Sequence, residues 1–302
     1  MQTPPYLKPG DTIAITCPSG YIPKETVGIA QQMLESWGYR VILGETVGES
    51  DNYFSAPDEV RRRDLQSFLD RNDVQAILMG RGGYGMSRII DDLDFSRFIQ
   101  QPKWLCGFSD ITVLHSHVLS NYGITTLHGP MCSSFKPENE GKSFLNSFRS
   151  VITGTAVDYP VPECIYNIEG TTKGVLVGGN LAMLAHLTGS ASELNTRDKI
   201  LFIEDIGEHL YNIDRLLYNM KRSGALSNIK ALVCGGFTDT EDTTRPFGQN
   251  VYEIILNHVK DMNIPVCFDI PCGHIDENFS LSLGQVYELQ VLKGENRFCL
   301  SQ

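Results

Sequence analysis

The sequence predicts an α/β protein with two parts: a parallel sheet flanked by helices, followed by a smaller α/β domain. Three observations lead there. Short apolar runs alternate with amphipathic stretches of helical spacing through the first half of the chain. Glycine-rich or proline-containing turns close several of the apolar runs. A stretch from about 135 to 172, carrying Lys136-Pro137-Glu138-Asn139-Glu140-Gly141 and later Pro160, Pro162 and Gly170, separates two halves of different rhythm.

In chain order, Thr12-Ile13-Ala14-Ile15-Thr16 reads as a buried strand that ends at Pro18-Ser19-Gly20. Residues 24–37 carry Ile29, Met33, Leu34 and Trp37 at helical spacing, and Gly38 stops the helix. A second strand over 39–43, a charged helix over 58–69, a third strand over 74–79 and a fourth over 104–108 follow. Strands separated by helices make a parallel sheet covered on both faces. Its functional residues belong just past the carboxyl ends of the strands. We assign 1–150 to this domain, 151–172 to a connection and 173–302 to the second domain. The second domain begins with a strand and glycine turn over 174–179, and Asn180 can cap the next helix. Strands over 199–204, 229–234 and 266–270 alternate with helices over 212–223 and 252–262. The strand over 229–234 is closed by Gly235-Gly236, and 286–300 reads as a hairpin about Lys293-Gly294-Glu295-Asn296.

Composition narrows the function classes. The chain has 302 residues, 41% of them hydrophobic, enough for a sizeable core. Its net charge of -11 argues against nucleic acid or an anionic membrane surface as partner. The single basic cluster, Arg61-Arg62-Arg63, is flanked by Asp58, Glu59 and Asp64, and the chain's acidity reads as a device for solubility. No apolar run approaches a membrane span, and the proline-containing start does not resemble a signal peptide, so a cytoplasmic protein is expected. The eight cysteines are scattered without a CxxC pair and read as free thiols.

Four places can carry chemistry. Ser109 follows the strand Trp104-Leu105-Cys106-Gly107-Phe108 and opens a helical run, which exposes its hydroxyl beside free N–H groups. A plain N-cap is the competing reading, and Ile111 departs from G-x-S-x-G. The turn Gly80-Arg81-Gly82-Gly83-Tyr84-Gly85 lets backbone approach a ligand, and can supply an oxyanion donor, cradle a phosphate or serve as a tight turn. It lacks a P-loop GK[ST] and a ribose-binding acid about 20 residues on. Glu204 ends a strand, where a carboxylate can orient a histidine; Asp205, Glu208 and Asp214 are nearby competitors. His274, in Pro271-Cys272-Gly273-His274-Ile275, suits a general base. Six other histidines compete, and their spacing supports no zinc site. Ser109, Glu204 and His274 stand in the order Ser…Glu…His, each at a strand end.

Together with His128-Gly129-Pro130-Met131, Gly178-Gly179-Asn180-Leu181, Phe202-Ile203-Glu204-Asp205 and Gly273-His274, these motifs resemble the LD-carboxypeptidases, serine peptidase family S66. The resemblance spans nearly the whole chain. It implies a flavodoxin-like N-terminal domain carrying the serine, a smaller C-terminal domain carrying glutamate and histidine, a homodimer, and no metal or organic cofactor. It implies Ser109 as nucleophile, His274 as general base and Glu204 as its orienter, with the N–H groups of Asp110 and Gly83 as oxyanion donors. Arg81, Gly82 and Tyr84 would touch substrate, Arg81 as a candidate for the released residue's carboxylate. The substrate expected is a small peptide, cytoplasmic murein tetrapeptide, from which D-alanine is released. A microcin-type immunity peptidase acting on a peptidyl-nucleotide amide and a catalytically silent binder of peptidoglycan fragments are the alternatives. The stretch Leu281-Ser282-Leu283-Gly284 departs from the family's frequent proline after the histidine and leaves that loop's conformation open.

Overall fold

The structure, a computed structural model, describes residues 1–157 and 159–301. These residues form two six-stranded sheets. The first half contributes β1 (Thr12–Thr16), α1 (Lys24–Ser36), β2 (Arg40–Leu43), α2 (Asp58–Asp70), β3 (Ala76–Met79), α3 (Ser96–Gln100), β4 (Trp104–Gly107), α4 (Thr112–Tyr122), β5 (Thr126–His128) and α5 (Ser143–Thr153). The second half contributes β6 (Gly170–Asn180), α6 (Leu181–His186), β7 (Ile200–Ile206), α7 (Leu210–Ser223), β8 (Ala231–Thr238), α8 (Val251–Val259) and β9 (Val266–Cys267). It ends with β10 (Leu281–Leu283), β11 (Val286–Val291) and β12 (Arg297–Leu300).

The first sheet runs β2-β1-β3-β4-β5, all parallel, which is the flavodoxin-like order. β1, β3 and β4 are buried at every position, as strands with helices on both faces must be. β10 closes the free edge of β5 in antiparallel register, Leu281 opposite His128 and Leu283 opposite Thr126. The stretch whose conformation the sequence left open is therefore a strand. It comes from the C-terminal part of the chain but belongs to the N-terminal sheet. The second sheet runs β12-β11-β6-β7-β8-β9, with β6 to β9 parallel and the hairpin β11–β12 antiparallel, as the alternation of 286–300 predicts.

Several sequence expectations need correction. Residues 143–153, inside the presumed connecting region, form α5, whose Phe144, Leu145, Phe148 and Ile152 are buried. A polar, glycine-containing run before it masked the helix. β8 does not stop at Gly235-Gly236 but continues to Thr238, because beyond a register shift at the two glycines Phe237 and Thr238 pair with Asp205 and Ile206 of β7. Arg61, in the charged helix, is fully buried. Its guanidinium donates to the carbonyls of Ala56 at 3.0 Å and Gly85 at 3.1 Å, to Pro18 O, and to Asp58. One side chain thus ties the turn after β1 to the glycine turn after β3.

The sheets are docked through hydrogen bonds as well as apolar surface. The Asn180 N–H donates to Thr112 Oγ1 at 3.0 Å, joining the end of β6 to the start of α4. Leu176 of β6 bonds by its N–H to Gln285 O at 2.9 Å and by its carbonyl to the Gly284 N–H at 2.7 Å. The Ser116 hydroxyl donates to Ser192 O at 2.6 Å.

Replacing Arg61 with Met leaves buried carbonyls on two turns without a donor, at a cost of about 3 kcal/mol. Urea denaturation of Arg61→Met will show that loss, while Arg62→Met, with its guanidinium on exposed Glu59, will fall within about 0.5 kcal/mol of wild type.

Candidate active site

Ser109 stands where the chain leaves β4. The residue has φ of 65°, in the left-handed region that non-glycine residues rarely enter, and starts a single 3-10 turn, Ser109–Ile111, ahead of α4. That strand-turn-helix bend lifts its hydroxyl off the sheet edge. Its Oγ lies 3.1 Å from His274 Nε2, and His274 Nδ1 lies 2.7 Å from Glu204 Oε2. With the Nδ1 proton directed to the carboxylate, Nε2 is free to accept the serine proton. The three residues expected from sequence are therefore brought into one hydrogen-bonded chain.

Glu204 sits within β7 and is fully buried. Its Oε2 also accepts the backbone N–H of His274 at 3.1 Å, so one oxygen holds both the ring and the main chain of the same residue. A Cβ on Gly273 would lie 2.6 Å from that oxygen, and Gly273 has φ of 105°, so only glycine lets the loop pass this close. Three further bonds fix the loop: Gly273 N–H to Asn278 Oδ1 at 2.8 Å, Gly236 N–H to Cys272 O at 2.9 Å and Thr238 hydroxyl to His274 O at 2.9 Å. The neighbouring acids are used elsewhere. Asp205 accepts from Asn180 Nδ2 at 2.8 Å and from the Ala182 N–H at 2.9 Å, and burial pushes its pKa up to about 7. Asp214 meets His258 at 2.8 Å, and Glu208 accepts from Asn212.

The glycine turn closes over the serine. A Cβ on Gly82 would lie 2.8 Å from Ser109 Cβ and 3.0 Å from its Oγ, so the turn backbone and the serine are in direct contact. Gly82 O accepts the Gly20 N–H at 2.9 Å, which leaves the Gly83 N–H on the opposite edge of the same peptide. Asp110 is the second residue of the 3-10 turn, whose first closing bond runs from Ile111 N–H to Phe108 O, so its own N–H is unused by the helix. A developing oxyanion needs two such donors. Arg81 donates to Tyr21 O at 2.9 Å and Tyr84 is half exposed beside the turn.

Sequence reasoning missed the residues that hold these turns together. The Asp110 side chain is buried, and its Oδ2 accepts the Ser19 hydroxyl at 2.6 Å and the Met86 N–H at 2.8 Å. It thereby pins the Ser109 turn to the turns after β1 and β3, the same two that Arg61 joins. Burial raises the Asp110 pKa, against the hydrogen bonds from Ser19 and Met86. The strand-end position of Pro18-Ser19-Gly20 was the available signal for Ser19; nothing local distinguishes Arg61 from Arg62 and Arg63 except helical phase. Beneath the site lie two buried histidines. His128 is packed edge-on to Phe202 at 5.0 Å and to Phe108 at 5.8 Å, and burial holds its pKa well below the usual value. Burial likewise lowers that of His115 to about 4, with its Nε2 on Gly107 O at 2.9 Å. Among the described residues no cluster of three or more His, Cys, Asp or Glu side chains is arranged to hold a metal ion, and no helix is long and apolar enough to cross a membrane.

Comparison with known proteins gives a consistent picture. The family model described as the LD-carboxypeptidase N-terminal domain matches residues 13–129, and that of the LD-carboxypeptidase C-terminal domain matches residues 173–289. The chain is 27% identical to the murein tetrapeptide carboxypeptidase of Pseudomonas aeruginosa, over 92% of each chain. It is 24% identical to the microcin C7 self-immunity protein of Escherichia coli, over 91% of this chain and 89% of that one. The crystal structure of muramoyltetrapeptide carboxypeptidase from Oxalobacter formigenes superposes with a TM-score of 0.86 at 32% identity, covering 96% of this chain and 99% of that one.

Two outcomes follow from this geometry. Gly273→Ala places a methyl group against Glu204 and will lower kcat by about a hundredfold or more while the protein stays folded by circular dichroism. His115 takes up a proton near pH 6.5 when unfolded but only near 4 when folded. Its contribution to stability is therefore complete above pH 6.5 and is lost as pH falls toward 4, by up to about 3 kcal/mol. Denaturation midpoints measured across that window will fall less steeply for His115→Gln than for wild type.

Proposed function

The chain belongs to the LD-carboxypeptidase family, and on that premise we propose that it releases D-alanine from a murein tetrapeptide by hydrolysing the amide that joins an L-centre to the C-terminal D-residue. It is a serine-type carboxypeptidase. The observation that carries the mechanistic reading is the hydrogen-bonded chain from Ser109 through His274 to Glu204, with the serine on a strained bend.

In the first half-reaction His274 Nε2 takes the Ser109 proton as Oγ attacks the amide carbonyl. Glu204 holds the ring by Nδ1 and stabilises the imidazolium. The negative charge that forms on the carbonyl oxygen is met by the N–H groups of Gly83 and Asp110. Collapse breaks the C–N bond, His274 returns the proton to the departing amine, and D-alanine leaves. In the second half-reaction water, deprotonated by His274, attacks the acyl-enzyme, and Ser109 recovers its proton as the shortened peptide departs. Action in the cytoplasm, on peptides recovered from the wall, and as a homodimer forms part of the same proposal.

A second reading, hydrolysis of a peptidyl- or aminoacyl-nucleotide amide by the same residues, draws on the exposed rings of Tyr53 and Tyr84 beside the glycine turn, flat faces on which a base could stack.

Mass spectrometry of wild type and Ser109→Ala incubated with L-Ala-γ-D-Glu-meso-diaminopimelate-D-Ala separates these readings. D-Alanine released by wild type alone supports the first reading and the nucleophile together. No release by wild type removes that substrate and leaves the nucleotide amide; release by both proteins removes Ser109.

A further inference from the structure

In the mechanism above, the imidazole that protonates the departing amine must face the departing residue, so that residue occupies the His274 side of the cleft. A cavity of 520 Å³ lies on that side, with His274 in its wall. Phe108, Ile206 and Ile275 give it an apolar patch, room for a short apolar side chain such as a methyl group. Lys136 and Lys142 line the same cavity. Among the described residues neither makes an ion pair, whereas Arg61, Arg62, Arg63, Arg71 and Arg88 each have a carboxylate partner.

We propose that Lys136 and Lys142 bind the free carboxylate of the departing residue, and that this contact makes the enzyme an exopeptidase. The assignment rests on the function proposed above. The segment that carries the lysines is held in place. The Asn139 side chain donates to Ser134 O at 3.0 Å and the Lys142 N–H donates to Asn139 O at 3.1 Å. Immediately after Lys142, α5 begins, and its buried Phe144, Leu145 and Phe148 anchor the chain. The backbone is thus fixed while both ammonium groups stay exposed on flexible stems, able to reach a carboxylate anywhere in a cavity of this size. Glu138 and Asp276 also line the cavity. They balance the two lysines while the cleft is empty and are opposite in sign to the ammonium group that cleavage creates on the released amino acid. A C-terminal amide or a longer peptide lacks a carboxylate at this distance from the scissile bond. Arg81, the cation expected from sequence to take this role, is engaged with Tyr21 O on the glycine-turn side of the serine.

The test compares two substrates, the tetrapeptide with free D-alanine and the same peptide ending in D-alaninamide, on wild type, Lys136→Gln/Lys142→Gln and Lys136→Arg/Lys142→Arg. Charged hydrogen bonds of this kind give wild type a preference for the acid in kcat/KM of about a hundredfold. The glutamine pair will reduce that ratio to within about fivefold, and the arginine pair, which keeps both charges, will retain most of it. A glutamine pair with the wild-type ratio, or a wild type that cleaves acid and amide alike, overturns the assignment while leaving the proposed function standing. A wild type that cleaves neither overturns the function and this assignment with it.

Discussion

The hydrogen bond between His274 Nε2 and Ser109 Oγ crosses from one sheet to the other, and the rest of the architecture serves to hold its two ends in place. The serine is placed by the first sheet, at the end of β4. The histidine and glutamate are placed by the second, in the loop after β9 and in β7. A contact with a tolerance of a few tenths of an ångström, made between separately built sheets, requires that the sheets not slide. Two features prevent sliding, and a third fixes the histidine loop within its own sheet. β10 leaves the C-terminal part of the chain to complete the edge of the N-terminal sheet, and the residues just after it bond back to β6. Asn180 donates to Thr112 one turn beyond Ser109. Glu204 binds His274 by both ring and backbone, so the loop cannot rotate without losing both.

The same site shows how buried charge is made tolerable. Glu204, Asp110 and Arg61 are all removed from water, each a costly arrangement unless its hydrogen-bonding capacity is used. Arg61 meets three backbone carbonyls and Asp58. Asp110 takes a hydroxyl and a backbone N–H. Glu204 takes the imidazole and a backbone N–H, both on Oε2, while its Oε1 and Asp110 Oδ1 have no partner among the described residues. Arg61 and Asp110 bind the turns after β1 and β3 that flank Ser109, and Glu204 binds the loop that carries His274. The electrostatic penalty of displacing a turn therefore falls on its charged anchor, which keeps the turns in place before any substrate arrives. The left-handed serine can be held in its strained conformation because these anchors constrain it from both sides.

Much of this was legible in the sequence because it is local. Apolar runs ending in glycine turns marked β1, β3 and β4, and with them the expected places of the serine and the oxyanion turn. Glu204 and His274 were legible as polar residues at strand ends, and the set of motifs gave them a family. What escaped was long-range or depended on helical phase. β10 is three residues long and gains its identity only by pairing with β5, more than 150 residues earlier in the chain. α5 was hidden by the polar run before it. Arg61 is adjacent to two arginines of identical type, Arg62 half-buried and Arg63 exposed, and only the turn of α2 sends it fully inward. Asp110 was read for its backbone, whereas its side chain spans to Ser19, 91 residues away. The lysines of the cleft lie in a segment that reads as linker and becomes a wall of the site only when α5 packs.

The central claim is that Ser109 is made nucleophilic by a histidine held on the other sheet. Labelling with a fluorophosphonate, followed by peptide mapping and by the rate of adduct formation in wild type and His274→Ala, tests it most directly, because no substrate need be known. The account predicts a single adduct on Ser109, formed about a thousandfold more slowly when the imidazole is removed. An adduct on another serine, or equal labelling of Ser109 without His274, would contradict it.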